Sequence, residues 1–87
     1  IKIIKNKDNS YTLNAKLECE VFNNKFNNII PNGDYETIGG YIISEIGRIP
    51  NKGERLFLSI GQIVVKNASS RQIHQIQLYP SAINNNK

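Results

Sequence analysis

Apolar and polar residues alternate in several stretches of this chain and recur at helical spacing in two others. Tyr11, Leu13 and Ala15 point one way and Thr12 and Asn14 the other, the period of a strand with one buried face. Leu17–Phe26 changes period: Cys19, Phe22 and Phe26 fall at i, i+3 and i+7, one stripe of a short helix. Glu18 and Glu20 would sit in its first turn, where the helix dipole favours negative charge. Asn27-Asn28 and Pro31-Asn32-Gly33 end it in a loop. A second helix follows, capped by Asp34 or Thr37, with Ile38, Ile42, Ile46 and Ile49 at nearly helical spacing and Tyr41 and Glu45 between them. Gly47 is placed to stop it in a left-handed conformation, and Pro50 forbids its continuation.

Asn51-Lys52-Gly53-Glu54 reads as a turn. Leu56, Leu58 and Ile60 then alternate with Arg55, Phe57 and Ser59, Gly61-Gln62 makes a reversal, and Ile63–Lys66 runs back. Asn67–Ser70 turns again, and Ile73–Leu78 is the last strand, closed by Pro80. Ile73 and Ile76 are three apart, which predicts a bulge near His74-Gln75 to restore the buried face. The predicted order is strand, helix, helix and a three-stranded meander: a two-layer α+β domain with an antiparallel sheet. Residues 1–9 read as a linker or short strand, 10–80 as the domain and 81–87 as a frayed polar tail.

Composition narrows what such a domain can do. The 87 residues suffice for one core, burying about 60–65% of the unfolded surface. No apolar run approaches the ~20 residues of a membrane span, and no signal-peptide core is present near Ile1. The start at isoleucine suggests a piece of a longer protein. Cys19 is the sole cysteine, which excludes an internal disulfide or thiolate metal cluster and fits a reducing compartment. The net charge of +4 comes mostly from lysine and is read as a solubilising surface; nucleic acid is the alternative that charge alone raises. Asn, Ile and Lys, which dominate, all have AT-rich codons. The aromatic residues do not interleave with lysines as a base-stacking platform would.

Asp34-Tyr35-Glu36-Thr37-Ile38-Gly39-Gly40, then Ile46-Gly47-Arg48-Ile49-Pro50 and Gly53-Glu54, resembles without a gap the signature of the CorC/HlyC transporter-associated domain. Ser10-Tyr11-Thr12-Leu13, Leu17 and Phe22-Asn23 match upstream; Arg71, Ile73, Ile76 and Leu78 match downstream, so the resemblance covers about residues 10–79. Departures are Ala15 for a frequent glycine, Gln72 for arginine, His74 and Gln75 for basic residues, and Ser69-Ser70 for an Asp-Gly turn. The resemblance implies a C-terminal, non-enzymatic accessory domain of a bacterial magnesium/cobalt efflux protein or haemolysin-like protein. It implies a CBS pair and a membrane domain as partners, a place on the cytoplasmic face of the inner membrane, and a homodimer formed through the parent. It also implies a fold related to FAD-binding domains, so FAD or an adenine nucleotide is an alternative ligand by fold similarity only.

The signature residues Thr37, Gly39, Gly40, Gly47, Arg48, Pro50 and Gly53 include no nucleophile, base or metal-ligand set. Gly39 and Gly40 inside a helix cost about 1 kcal/mol each relative to alanine. Close packing or backbone contact with a phosphate could offset this. Packing is favoured, because neither Gly-x-Gly-x-x-Gly nor a Walker motif is present. Arg48 can pair with Glu36, Glu45 or Glu54, or contact another domain, and Arg71 is a second candidate for such a contact. His74 lacks companion ligands, Cys19 reads as core, and the seven carboxylates single out no acid/base pair.

Overall fold

The computed structural model describes residues 3–27 and 30–80. The polar tail expected at 81–87, together with Ile1 and Asn28, lies outside them. Five strands and two helices follow in the order β1 (Ile3–Lys5), β2 (Tyr11–Asn14), α1 (Cys19–Phe26), α2 (Ile38–Ile46), β3 (Arg55–Leu58), β4 (Gly61–Ala68) and β5 (Ile73–Pro80). All pairings are antiparallel and the sheet order is β1-β2-β5-β4-β3. The meander is therefore the right half of a larger sheet. β2 crosses to pair with β5, Leu13 opposite Ile76, and β1 adds an edge strand through Ile3 opposite Leu13.

One sheet face is buried. Leu13, Ile63, Val65, Ile76 and Leu78 are fully covered and meet Phe22 of α1 and Ile38, Tyr41 and Ile42 of α2. Each such side chain contributes about 1.5–3 kcal/mol by leaving water. The opposite face is open: Ile4 and Phe57, on the two edge strands, are 52% and 76% exposed.

The predicted bulge is present, and it is double. Val65 faces Ile76, Asn67 faces Gln75 and Ala68 faces Ile73, so Lys66 is the extra residue on β4 and His74 the extra residue on β5. Ile73 and Ile76 can thus both point into the core. The reversal between β3 and β4 falls on Ser59-Ile60, not Gly61-Gln62, since Leu58 pairs with Gly61. Ile60 is fully buried within that turn, so the alternating run carries its apolar period through the hairpin loop.

The buried arc of α2 also differs from the isoleucine stripe. Tyr41 is fully buried with Ile38 and Ile42, whereas Ile46 and Ile49 are only partly covered. The Tyr41 hydroxyl and Ser59 Oγ lie 2.8 Å apart in a hydrogen bond. That bond satisfies the one polar atom which would otherwise oppose burial of the ring.

Candidate functional site

The segment from Thr37 to Glu54 holds all seven signature residues. Thr37, in extended conformation, is the N-cap of α2, and its Oγ1 accepts from Gly40 N at 3.2 Å. Asp34, the other candidate cap, does not serve. The two preceding amides turn back to the β2–α1 connection. Ile38 N donates to Leu17 O and Gly39 N to Ala15 O, both at 2.9 Å, while Tyr41 N bonds Thr37 O. The N–H groups that a helix start leaves free are therefore engaged within the chain, and a phosphate would have to displace them.

A Cβ on Gly39 would lie 3.1 Å from Ala15 Cβ and 3.2 Å from Ala15 O; one on Gly40 would lie 3.2 Å from Tyr35 Cβ. Both glycines thus allow close approach, Gly39 to the β2 exit at Ala15 and Gly40 to Tyr35. Ala15, at the position where the resemblance expects glycine, is itself 3% exposed, so the contact is formed by two minimal side chains.

At the other end of α2, Gly47 caps at φ +77° and its N–H returns to Ile43 O. Pro50 is buried. Gly53, at φ +86°, occupies the third position of a turn closed by Glu54 N to Asn51 O. This is the site in a type II turn that requires positive φ. The turn brings Glu54 back beneath Arg48. Arg48 Nη1 donates to Glu54 Oε1 at 2.9 Å and Nη2 donates to Oε2, a two-pronged pair. Asn51 N adds a third bond to Oε1. The Arg48 hydrogen bonds, first, and that from Asn51 lower the Glu54 carboxyl from 4.5 to about 2, and the same contact raises Arg48. Since the folded-state value is depressed, the pair supports the fold above about pH 4.5 and its contribution fades as pH falls toward 2. Asp8, lowered by Ser10, acts in the same direction. Acid titration followed by circular dichroism should show stability falling through this window, with a flatter acid limb in Glu54→Gln.

Arg48 joins the end of α2 to the entry of β3, with its side chain still 53% exposed. Arg71 lies elsewhere, in the β4–β5 turn, and no ion pair or hydrogen bond joins the two among the described residues. In that turn Ser69 Oγ accepts from Arg71 N and Gln72 N at 3.3 Å, so serine supplies the side-chain acceptor that an Asp-Gly turn would offer. His74 is half-buried, and its carbonyl accepts from Ala15 N at 3.0 Å. Cys19 is in the core, with burial pushing its thiol up.

A groove that the sequence did not point to runs beside α1. It encloses about 710 Å³ and is lined among others by Glu18, Cys19, Asn23, Tyr35 and Glu36. Its walls are held by Asn23, which bonds both the N–H and the carbonyl of Ile30 at 2.9 Å, and by Tyr35 OH donating to Pro31 O. Asn23 was legible as part of a helix and of the family resemblance, but its contact was not, because its partner Ile30, seven residues on, is irregular backbone. No group of three or more His, Cys, Asp or Glu side chains able to hold a metal occurs among the described residues. Among them, too, no helix is long and apolar enough to cross a membrane.

Two short helices on one face of a five-stranded antiparallel sheet, with a glycine-packed helix start and a Gly-Arg-Ile-Pro stop, define an α+β domain of the transporter-associated kind. The chain belongs to the CorC/HlyC family: the model for that transporter associated domain matches residues 4–82. It is 28% identical over 78 residues to the magnesium and cobalt efflux protein CorC of Buchnera aphidicola, covering 90% of this chain and 27% of that protein. The transporter associated domain of a Xylella fastidiosa hemolysin shares the fold with a TM-score of 0.74 at 23% identity, over 90% of this chain and 92% of that one. So does the transporter associated domain of a CBS domain protein from Porphyromonas gingivalis, with a TM-score of 0.79 at 16% identity over 92% and 98%. The chain spans about a quarter of the length of the curated relatives it matches.

Proposed function

We propose that this domain is a non-catalytic interaction module of a longer magnesium/cobalt efflux or haemolysin-like protein. It modulates transport by packing against a CBS pair and a membrane domain on the cytoplasmic face. One observation carries the reading: the signature residues are spent on capping, close packing and turns. Thr37 caps α2, Gly39 and Gly40 admit Ala15 and Tyr35, and Gly47 and Gly53 adopt positive φ. Such residues fix a shape, and a shape acts through what it touches. Arg48 is the side chain best placed to pass that contact on. Glu54 holds it in one orientation while about half of its surface stays open, so a carboxylate or carbonyl of a neighbouring domain meets an ordered donor.

The full-length parent carrying Arg48→Ala tests this. Circular dichroism of the isolated domain should change little, because exposed ion pairs add little to stability, while ion efflux by the parent should fall. Unchanged efflux would refute the role of Arg48. A thermal shift of the isolated domain with FAD, ATP or AMP would redirect the reading toward a nucleotide-binding module.

A further inference from the structure

β1 and β3 form the two edges of the sheet, and the edges differ. β1 is three residues long and carries Lys5. Short length and lysine both discourage pairing with another chain. β3 is Arg55-Leu56-Phe57-Leu58, with no proline or lysine, and it pairs with β4 without a register shift. Glu54 O accepts from Val65 N at 3.0 Å. By the alternation of an antiparallel ladder, Leu56 and Leu58 also turn their backbone groups toward β4. The N–H and C=O groups of Arg55 and Phe57 therefore point to the free edge, and no loop backbone bonds them among the described residues. Both side chains stand exposed on the open face, Phe57 by 76%.

An edge with free backbone groups can accept another strand. The order of side chains on this one indicates which strand. An antiparallel second copy of β3 can meet these groups in three central registers. One sets Arg55 opposite Arg55, like charges face to face. Another sets Phe57 opposite Phe57, which leaves Arg55 opposite Ser59, outside the strand. The third sets Arg55 opposite Phe57 in both directions and keeps every bond within the two strands. Leu56, which is buried, then meets its counterpart on the core side. Each guanidinium lies across from a ring, with Cβ atoms about 5 Å apart, close enough for a cation–π contact. The edge is complementary to itself, as a two-fold interface requires. We propose that two copies of this chain pair antiparallel through β3, Arg55 of each opposite Phe57 of the other, joining two five-stranded sheets into one. Strands of four residues bury well under the ~1,200 Å² of a standard interface, so the dimer should form near about 0.1 mM. The inference stands apart from the proposed function, since it draws only on the edge strand.

The test is sedimentation equilibrium of the 87-residue chain from about 0.01 to 1 mM. A reversible monomer–dimer equilibrium is expected, without larger species, because pairing leaves only the guarded β1 edges free. Phe57→Arg sets guanidinium groups opposite one another and should weaken the dimer at least about tenfold. Phe57→Glu sets a carboxylate opposite the partner's Arg55. It should keep association within about threefold of wild type and make it sensitive to salt. Ile4→Arg, at the β1 edge, makes the same change in net charge as Phe57→Arg and should leave association unaltered. Ile4 and Phe57 are exposed, and circular dichroism checks that each variant folds. Phe57→Thr replaces a charged variant that does not fold, and it too should weaken the dimer. A monomer at every concentration would overturn the proposal. Equal weakening by Phe57→Arg and Phe57→Glu would do the same, because arginine would then not be the neighbour of Phe57. So would equal weakening by Ile4→Arg and Phe57→Arg, which would place the contact elsewhere or make it a matter of net charge.

Discussion

Replacing Phe22 with alanine is expected to bring the domain to the edge of unfolding at ordinary temperature. Phe22 is fully buried, and its ring stacks on Phe26 at 4.4 Å, which in turn meets Tyr11 edge-on at 4.9 Å. This trio ties α1 to β2. α1 has only eight residues, too few to persist without tertiary support. Its cap residue Glu18 makes no side-chain hydrogen bond, and Phe22 is the largest side chain it buries. A buried Phe→Ala change costs about 3–5 kcal/mol, transfer and cavity terms together. A chain of this size has about 4–13 kcal/mol in total. Thermal denaturation should show Tm lowered by about 15–30 °C. A fall of only a few degrees would mean that α1 is held by something other than this ring.

Gly39→Val should lower stability through a different cause, lack of room. The added Cβ meets Ala15 Cβ at 3.1 Å and Ala15 O at 3.2 Å, and the oxygen is also the acceptor of Gly39 N. Backing α2 away from Ala15 relieves the contact but breaks that bond and the neighbouring one from Ile38 to Leu17 O. Overpacking of this kind costs about 1–3 kcal/mol, and loss of a buried bond adds about 1 kcal/mol. Gly39→Ala should sit much closer to wild type, because alanine regains about 1 kcal/mol of helix propensity. Pairing it with Ala15→Gly should recover more, since one of the two opposed methyl groups is then gone. Melting curves of these variants decide the matter, and an unaltered Tm in Gly39→Val would end the packing explanation of the signature.

These variants probe features that differ in how far they were readable from the chain. Phe22 and a cap at Asp34 or Thr37 follow from local rules, namely periodicity and the need to satisfy free amides; the structure chose Thr37. The stops at Gly47 and Pro50 and the bulge at His74 follow from local rules too. Their determinants lie within a few residues of one another. The pairing glycines were readable as close-packed, but not what they pack against. Ala15 is twenty-four residues from Gly39, and nothing local names it as the partner. The same holds for Glu54 among the three carboxylates open to Arg48. The choice was made by Gly53, whose positive φ turns the chain back under α2.

By itself, then, the sequence determined the α+β class, the two helices, the β3–β5 meander and the family, because period and turn chemistry are properties of neighbouring residues. Only the tertiary structure decided that β1 and β2 extend the meander into five strands, that Tyr41 displaces Ile46 from the core, and that Asn23 clamps the loop at Ile30. Pairing order depends on which distant strands lie side by side. That is settled by burying the whole apolar set at once, a condition no local window of the chain contains.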